Sequence, residues 1–260
     1  MLTPEALREA AGLLARAELG RVPVAPLAER CPGIDVEDAY RIQLLNIDAR
    51  IAAGARVVGH KVGLSSPVMQ RMMGVHEPDY GHLLDDMALD PSTPVDLSRY
   101  CAPRVEVEVG FVLGDDLPGA DCTVADVLAA TERVVPALEL IDSRIADWRI
   151  GIADTIADNA SSAGFATGDG VDPRELDLTA IDAVLHRDGL PVADGRSDAV
   201  LGDPAVAVAW LARTVARFDV PLKKGHLVLP GSCTRAVDVV AGSTYTAEFR
   251  GLGSVSLSFQ

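Results

Sequence analysis

Cysteine is sparse in this sequence and shows no organisation. The four residues, Cys31, Cys101, Cys122 and Cys233, stand far apart with no C-x-x-C pair. That pattern signals neither a zinc knuckle nor a disulfide framework and suits reduced thiols in the cytosol. Positive charge is also in deficit: Lys and Arg number 23 against 38 Asp and Glu, a net charge of −15. Nucleic acid and anionic membrane surfaces demand the opposite balance, so neither is expected as a partner. An anionic substrate would have to be drawn in by local positive groups or a metal. No apolar run reaches the roughly 18–20 residues of a membrane span, and no basic segment followed by an apolar core opens the chain. The expectation is a soluble cytoplasmic protein. G-x-G-x-x-G, P-loop and G-x-S-x-G motifs are all missing, which removes support for nucleotide and serine-hydrolase chemistry. Nothing repeats at a fixed period and nothing is low-complexity.

What is present is a chain of 260 residues, 48% hydrophobic, enough for one large domain or two modest ones with a sizeable core. Its organising stretch runs from Arg104 to Leu113, Arg-Val-Glu-Val-Glu-Val-Gly-Phe-Val-Leu. Side chains alternate faces along a strand, so Glu106 and Glu108 share one face and Val105, Val107 and Val109 the other. An edge strand with a wet carboxylate face would also read Glu-x-Glu. Here the carboxylate face continues into Gly110 and Val112, and a strand apolar on both sides belongs in a sheet interior. Two ionised carboxylates there repel each other without solvent and call for a cation. Val134 to Asp142 repeats the buried-strand pattern around Glu139, whose alternative reading is an ion pair with an arginine such as Arg144. Three carboxylates without an organised Cys/His set favour Mg²⁺ or Mn²⁺ over zinc.

Around this centre, Thr3-Pro4-Glu5 predicts a helix start with Leu7, Ala10, Ala11 and Leu14 as its apolar stripe. Asp35 predicts a second, with Tyr40, Leu44, Ile47 and Ile51 inward and Arg41, Asp48 and Arg50 solvated, ending at Gly54. Arg56 to Leu64 reads as a strand with Lys61 in its middle, either snorkelling or facing the carboxylates. Ser66-Pro67 opens a short helix from Val68 to Met73. His76 to His82 reads as a turn-rich loop in which His76 and His82 are surface residues and Asp79 is the candidate general base. Asp90 to Ser98 is a soft boundary between regions 1–100 and 101–260. Thr123 and Asp126 predict a capping box and a helix to about Arg133. Asp154 to Gly168 is small and polar, with Asn159, Ser161 and Ser162 as neutral donors or as turn chemistry. Strands from Leu178 to Leu185 and at Pro191-Val192 flank a turn at Arg187-Asp188-Gly189. Asp203-Pro204 starts a helix that ends near Phe218, and the remainder is β-rich, with a second polar loop at Pro230-Gly231-Ser232.

Taken in order, Gly59-His60-Lys61-Val62-Gly63-Leu64-Ser65, Glu77-Pro78-Asp79-Tyr80-Gly81, Pro103 to Glu108, Pro136-Ala137-Leu138-Glu139, Ala157 to Ser161 and Pro230-Gly231-Ser232 resemble the 2-keto-4-pentenoate hydratase family of the fumarylacetoacetate hydrolase superfamily. The resemblance covers nearly the whole chain. It implies an α+β fold: a mixed β-roll or barrel with flanking helices and a helical N-terminal region, in which residues 1–100 contribute Lys61 and Asp79 and residues 101–260 carry the metal site. By resemblance Glu106, Glu108 and Glu139 are the Mg²⁺ or Mn²⁺ ligands, Lys61 and Asp79 are catalytic, and Ser161, Asn159, Ser232 and Leu84 bind substrate. The implied activity is that of a hydro-lyase: metal-dependent hydration of 2-hydroxypenta-2,4-dienoate, or a homologue such as 2-hydroxyhexa-2,4-dienoate, in meta-cleavage catabolism of aromatics or steroids. The competing readings are a 2-oxo-3-hexenedioate decarboxylase, with Arg71, Arg144 or Arg235 for the second carboxylate, and a non-catalytic oligomeric partner subunit. The superfamily's hydrolases carry His-x-x-Glu on a lid helix, whereas here Glu77 directly follows His76, which argues against carbon–carbon hydrolysis. A homo-oligomer, pentamer or decamer, and association with a downstream aldolase or a related decarboxylase are further implications.

Overall fold

In a computed structural model describing residues 1–67, 70–71 and 74–260, the chain forms two sheets clothed by helices. The helix read from Val68 to Met73 lies largely outside the described residues. The larger, seven-stranded sheet runs β2-β1-β8-β3-β4-β5, with β9 also paired to β3. Its strands are β1 (Val57–Gly63), β2 (Asp79–Leu84), β3 (Arg104–Leu113), β4 (Thr131–Ile141), β5 (Ser162–Thr167), β8 (Leu227–Leu229) and β9 (Val237–Asp238). β1 and β8 are parallel and the other pairs antiparallel, so the sheet is mixed. The second sheet runs β11-β10-β6-β7, from β6 (Asp182–Arg187), β7 (Leu190–Arg196), β10 (Thr244–Phe249) and β11 (Gly253–Ser258), and packs against β4. This is the α+β arrangement expected. The large sheet takes strands from both sides of the Asp90 to Ser98 connection.

The helix starts obey their local signals. Thr3 Oγ1 accepts the Ala6 N–H at 3.2 Å and Asp35 Oδ1 that of Asp38 at 2.8 Å. Both arms of the capping box form, Asp126 N–H to Thr123 Oγ1 and Thr123 N–H to Asp126 Oδ2. That helix nevertheless stops at Ala130 rather than near Arg133, because Thr131 onward pairs with β3, and the β-branched Thr131, Val134 and Val135 suit a strand. The Val36–Ala52 helix buries Tyr40 and Ile47 as its spacing predicts, but its buried face is rotated to take in polar residues and leave out the end of the stripe. Asp38, Ile42 and Gln43 are buried, while Ile51 is 43% exposed. The reason is polar: Gln43 Nε2 donates to the carbonyls of Tyr80 and Ile156, and Asp38 accepts the Leu2 N–H, so these side chains satisfy backbone groups that packing would otherwise strand. The β6–β7 hairpin turns through Asp188 and Gly189, both left-handed, but β6 begins at Asp182 rather than Leu178. Among the described residues, Ser197–Phe218 is long and apolar enough by length and composition to cross a membrane, though charged residues interrupt it; 56% of its most apolar 18-residue window is buried inside the fold, as in a core helix.

The largest departure is at His76 to His82. Asp79–Leu84 is a fully buried strand rather than part of a loop, and His82 is a core residue with Nδ1 3.1 Å from Gln43 Oε1. Its ring lies 4.8 Å from that of His60, its register partner on β1, and His60 in turn lies 5.9 Å from His226. Period-two alternation puts these rings on the face of β1 and β2 opposite Lys61. Burial holds His82 down to about 4 and His60 well below the ordinary histidine range. With depressed folded-state values, both contribute stability that is present above pH 6.5 and lost as the pH falls from there through about 4. The slope approaches about 1.4 kcal/mol per pH unit for each group. Thermal denaturation of the wild type and His60→Leu, compared between pH 7 and pH 5, is expected to show the variant's midpoint gaining on that of the wild type as the pH falls; a difference that stays constant with pH would refute the assignment.

Candidate active site

β3 and β4 place Glu106 directly opposite Glu139, with Glu108 two residues further along the same face of β3. One oxygen from each of the three carboxylates lies within 4.8 Å of the others. Like charges opposed across a strand pair are destabilising in water and worse when buried, and Glu108 and Glu139 are fully buried. Glu108 Oε2 accepts the Gly231 N–H at 2.7 Å, but Glu108 Oε1 and both Glu139 oxygens lack hydrogen-bond donors. Burial and the neighbouring carboxylates push Glu106 up to about 7 and Glu108 well above the usual carboxylate range; burial raises Glu139 too, against the pull of Lys61. A cluster of all-oxygen donors, orphaned and mutually repelling, fits a hard divalent cation.

Lys61 enters from β1. Its Nζ donates to the Ala160 carbonyl at 2.9 Å and stands 3.4 Å from Glu139 Oε2. Burial opposes its charge, yet Glu139, Glu106, Asp79 and Glu108 together hold it above the ordinary lysine range, so it remains a cation. Arg144, the alternative partner for Glu139, is engaged with Asp158 instead. Asp79, opposite Gly63 across the β1–β2 pair, accepts Thr155 Oγ1–H at 3.1 Å through Oδ2 and leaves Oδ1 unpartnered. Burial raises its proton affinity and Lys61 restrains the rise. Gly63 is obligatory in this contact: a β-carbon there would fall 2.1 Å from Asp79 Oδ1.

Lys61, Asp79 and Glu106 line a cavity of about 380 Å³, with Glu108 and Glu139 buried behind Glu106 and outside the lining. Lys61, Asp79, Glu106, Ser161 and Ser232 all reach it, and Val62, Leu64, Ile141, Trp148 and Ile150 give it an apolar flank. The structure does not bring Asn159 or Leu84 to that lining. The Asn159 side chain is consumed by the backbone of His82, accepting its N–H at 2.7 Å and donating to its carbonyl at 2.9 Å, and Leu84 is buried in an apolar cluster with Leu83 and Met87. Ser161 Oγ is buried without a partner. Asn159, Ala160 and Ser161 form a run of left-handed residues, and Leu64 and Trp148 on the cavity wall are left-handed too. Non-glycine residues in that region carry strain that collects at functional sites. Sequence reasoning missed Thr155, the Ala160 carbonyl, the Gly231 N–H, and Arg104 with Trp148. Only Arg104 carried a signal, lying two residues before Glu106 and hence on its face.

Two substitutions test this geometry. Glu108→Gln should weaken Mg²⁺ or Mn²⁺ binding by at least about tenfold in calorimetric titration, and wild-type affinity would exclude the cluster as the metal site. Gly63→Ala should preserve the fold by circular dichroism while displacing Asp79 and lowering turnover by about 10²-fold; undiminished turnover would remove Asp79 from the chemistry.

Comparison with known proteins places the chain in a family. A family model described as the fumarylacetoacetate hydrolase C-terminal matches residues 69–259. A 2-keto-4-pentenoate hydratase of Paraburkholderia xenovorans is 45% identical over 260 residues, covering 100% of this chain and 97% of its own length. A 2-hydroxyhexa-2,4-dienoate hydratase of Comamonas testosteroni is 44% identical over 239 residues, 91% of this chain and 90% of that one. Among solved structures, a 4-oxalocrotonate decarboxylase from Pseudomonas putida G7 complexed with magnesium and adipate is similar with a TM-score of 0.96 at 35% identity, covering 100% of this chain and 99% of that chain. The chain therefore belongs to the 2-keto-4-pentenoate hydratase family of the fumarylacetoacetate hydrolase superfamily.

Proposed function

We propose that this chain is a hydro-lyase that hydrates 2-hydroxypenta-2,4-dienoate or a close homologue to a 4-hydroxy-2-oxo acid, with Glu106, Glu108 and Glu139 holding Mg²⁺ or Mn²⁺. The observation carrying the reading is the juxtaposition of a buried carboxylate cluster, which reaches the cavity through Glu106, with a cationic Lys61 and a half-satisfied Asp79 on the same cavity wall. Likeness over the whole chain to proteins named as such hydratases supports it. The metal, when bound, supplies Lewis acidity to the oxygens at the acid end of the substrate.

The chain's own residues supply orientation and protons. Lys61 places a fixed positive charge beside the carboxylates, where it attracts the substrate's carboxylate into an otherwise acidic protein. Asp79, with proton affinity raised by burial and Oδ1 unpartnered, is the group to deliver a proton to C5 and to recover the one released by the C2 hydroxyl, giving an α,β-unsaturated 2-oxo acid. It then passes that proton to C3 and regains one from the water whose oxygen adds to C4, so that one water is added overall and Asp79 ends as it began. Ser161 Oγ, buried and unpartnered, donates to a substrate oxygen, and Ser232 stands across the cavity. The apolar flank keeps bulk water from these steps.

A decarboxylase acting on 2-oxo-3-hexenedioate is the second reading, favoured by the overall likeness to the Pseudomonas putida decarboxylase and by Arg235 on the cavity wall. Arg144 is committed to Asp158, and Arg71 is not among the lining residues. Family likeness further supports a cytoplasmic homo-oligomer whose subunit number sedimentation velocity will measure, with association to an aldolase or related decarboxylase as an extension of the reading.

Purified enzyme should consume freshly generated 2-hydroxypenta-2,4-dienoate with loss of absorbance and formation of 4-hydroxy-2-oxopentanoate. EDTA should abolish turnover and Mg²⁺ or Mn²⁺ restore it. Asp79→Asn is expected to lower kcat by about 10²–10⁴-fold. CO₂ release from 2-oxo-3-hexenedioate with the dienoate untouched would replace the hydratase reading with the decarboxylase one.

A further inference from the structure

Along the carboxylate face of β3, Arg104 precedes Glu106 by one alternation, roughly 7 Å by strand rise, and both side chains line the catalytic cavity. Arg104 therefore stands where the tail of a bound acid points if its acid end lies at the glutamates. Its guanidinium carbon sits 4.4 Å over the Trp148 ring, and its Nε donates to Asp238 Oδ1 at 2.7 Å. Asp238 is its register partner across the β3–β9 pair. The indole is fixed from its other side, Nε1 donating to the Ala102 carbonyl at 3.0 Å. Its backbone, like that of Asp147, is left-handed, a conformation retained only where the surroundings impose it. This wall is assembled from three segments around one neutralised cation. Arg235 also reaches the lining, but its Nη2 is directed to the Val192 carbonyl.

We infer that Asp238 sets the tail selectivity of the cavity by neutralising Arg104 over Trp148. As folded, the far end takes an uncharged tail against the indole; with Asp238 removed, Arg104 accepts a second carboxylate. Asp238 is a positioning residue, since its own side chain is 80% exposed and outside the cavity lining. A carboxylate on the substrate tail competes with Asp238 for one guanidinium, and an exposed pair of this kind is weak enough to be displaced at modest cost. The inference rests on the proposal that the cavity binds a 2-oxo acid.

The test uses binding rather than turnover. Full-length wild type, Asp238→Asn and the double variant Arg104→Gln with Asp238→Asn are titrated calorimetrically, in Mg²⁺, with 2-oxopentanoate and with 2-oxoadipate, which differ in the distal carboxylate. Asp238→Asn should tighten 2-oxoadipate by about fivefold and leave 2-oxopentanoate unchanged, and loss of Arg104 in the same background should abolish the gain. An unchanged ratio in Asp238→Asn, or a gain that persists without Arg104 and disappears in Arg235→Ala, would overturn it. Binding of neither acid by the wild type would refute the 2-oxo acid reading, and the selectivity inference with it.

Discussion

Everything at the centre of this molecule follows from three carboxylates being packed together on two neighbouring strands, two of them fully buried and the third, Glu106, opening on the cavity. Glu106 and Glu139 face each other across β3 and β4, with Glu108 beside them, among strand side chains that are mostly apolar. Alone, such a cluster costs several kcal/mol per ion. Lys61 from β1 offsets part of that, which is why β1 must lie in the same sheet with its Lys61 face turned toward β3 and β4. The remaining negative charge suits the cluster to a divalent cation.

The supporting shell is built mainly from backbone. The Gly231 N–H fixes Glu108 and the Ala160 carbonyl fixes Lys61. Asn159 clamps the strand carrying Asp79 by bonding both backbone groups of His82, while Thr155 fixes Asp79 itself. The left-handed run from Asn159 to Ser161 lets one short turn serve two of these contacts at once. Its strain is sustained because the residues it touches are buried on neighbouring strands and helices. On the opposite face of β1 and β2, His60, His82 and the stacked Tyr40–Tyr80 pair, whose centroids are 4.6 Å apart, form a neutral layer that isolates the site from the outer helices.

Much of this was legible in the chain. The alternation in Arg104 to Leu113 identified β3 and the shared face of Glu106 and Glu108, because period-two geometry is local. The caps at Thr3, Asp35, Thr123 and Asp203 were legible for the same reason: donor and acceptor lie within three residues of each other. The errors had one cause. β2 was read as a loop because its Pro, Gly and His content resembles turn chemistry, and only pairing with β1 makes it a strand. On Val36–Ala52 the spacing identifies Tyr40 and Ile47 but not Asp38 and Gln43, which are drawn in by backbone groups of distant segments. Asn159 offered the composition of a ligand and is instead a clamp.

Sequence by itself determined the strand that bears the paired carboxylates, the all-oxygen character of the cluster, the acidity of the chain, and, through its ordered motifs, the family. These follow from residue type and short spacing. Tertiary structure alone decided that Glu139 opposes Glu106, that Lys61 rather than Arg144 answers it, that Asp79 keeps one oxygen free, and that Arg104 is held over Trp148 by Asp238. Each of these depends on a register between segments tens of residues apart, which no local pattern encodes and which the packing of the whole sheet fixes.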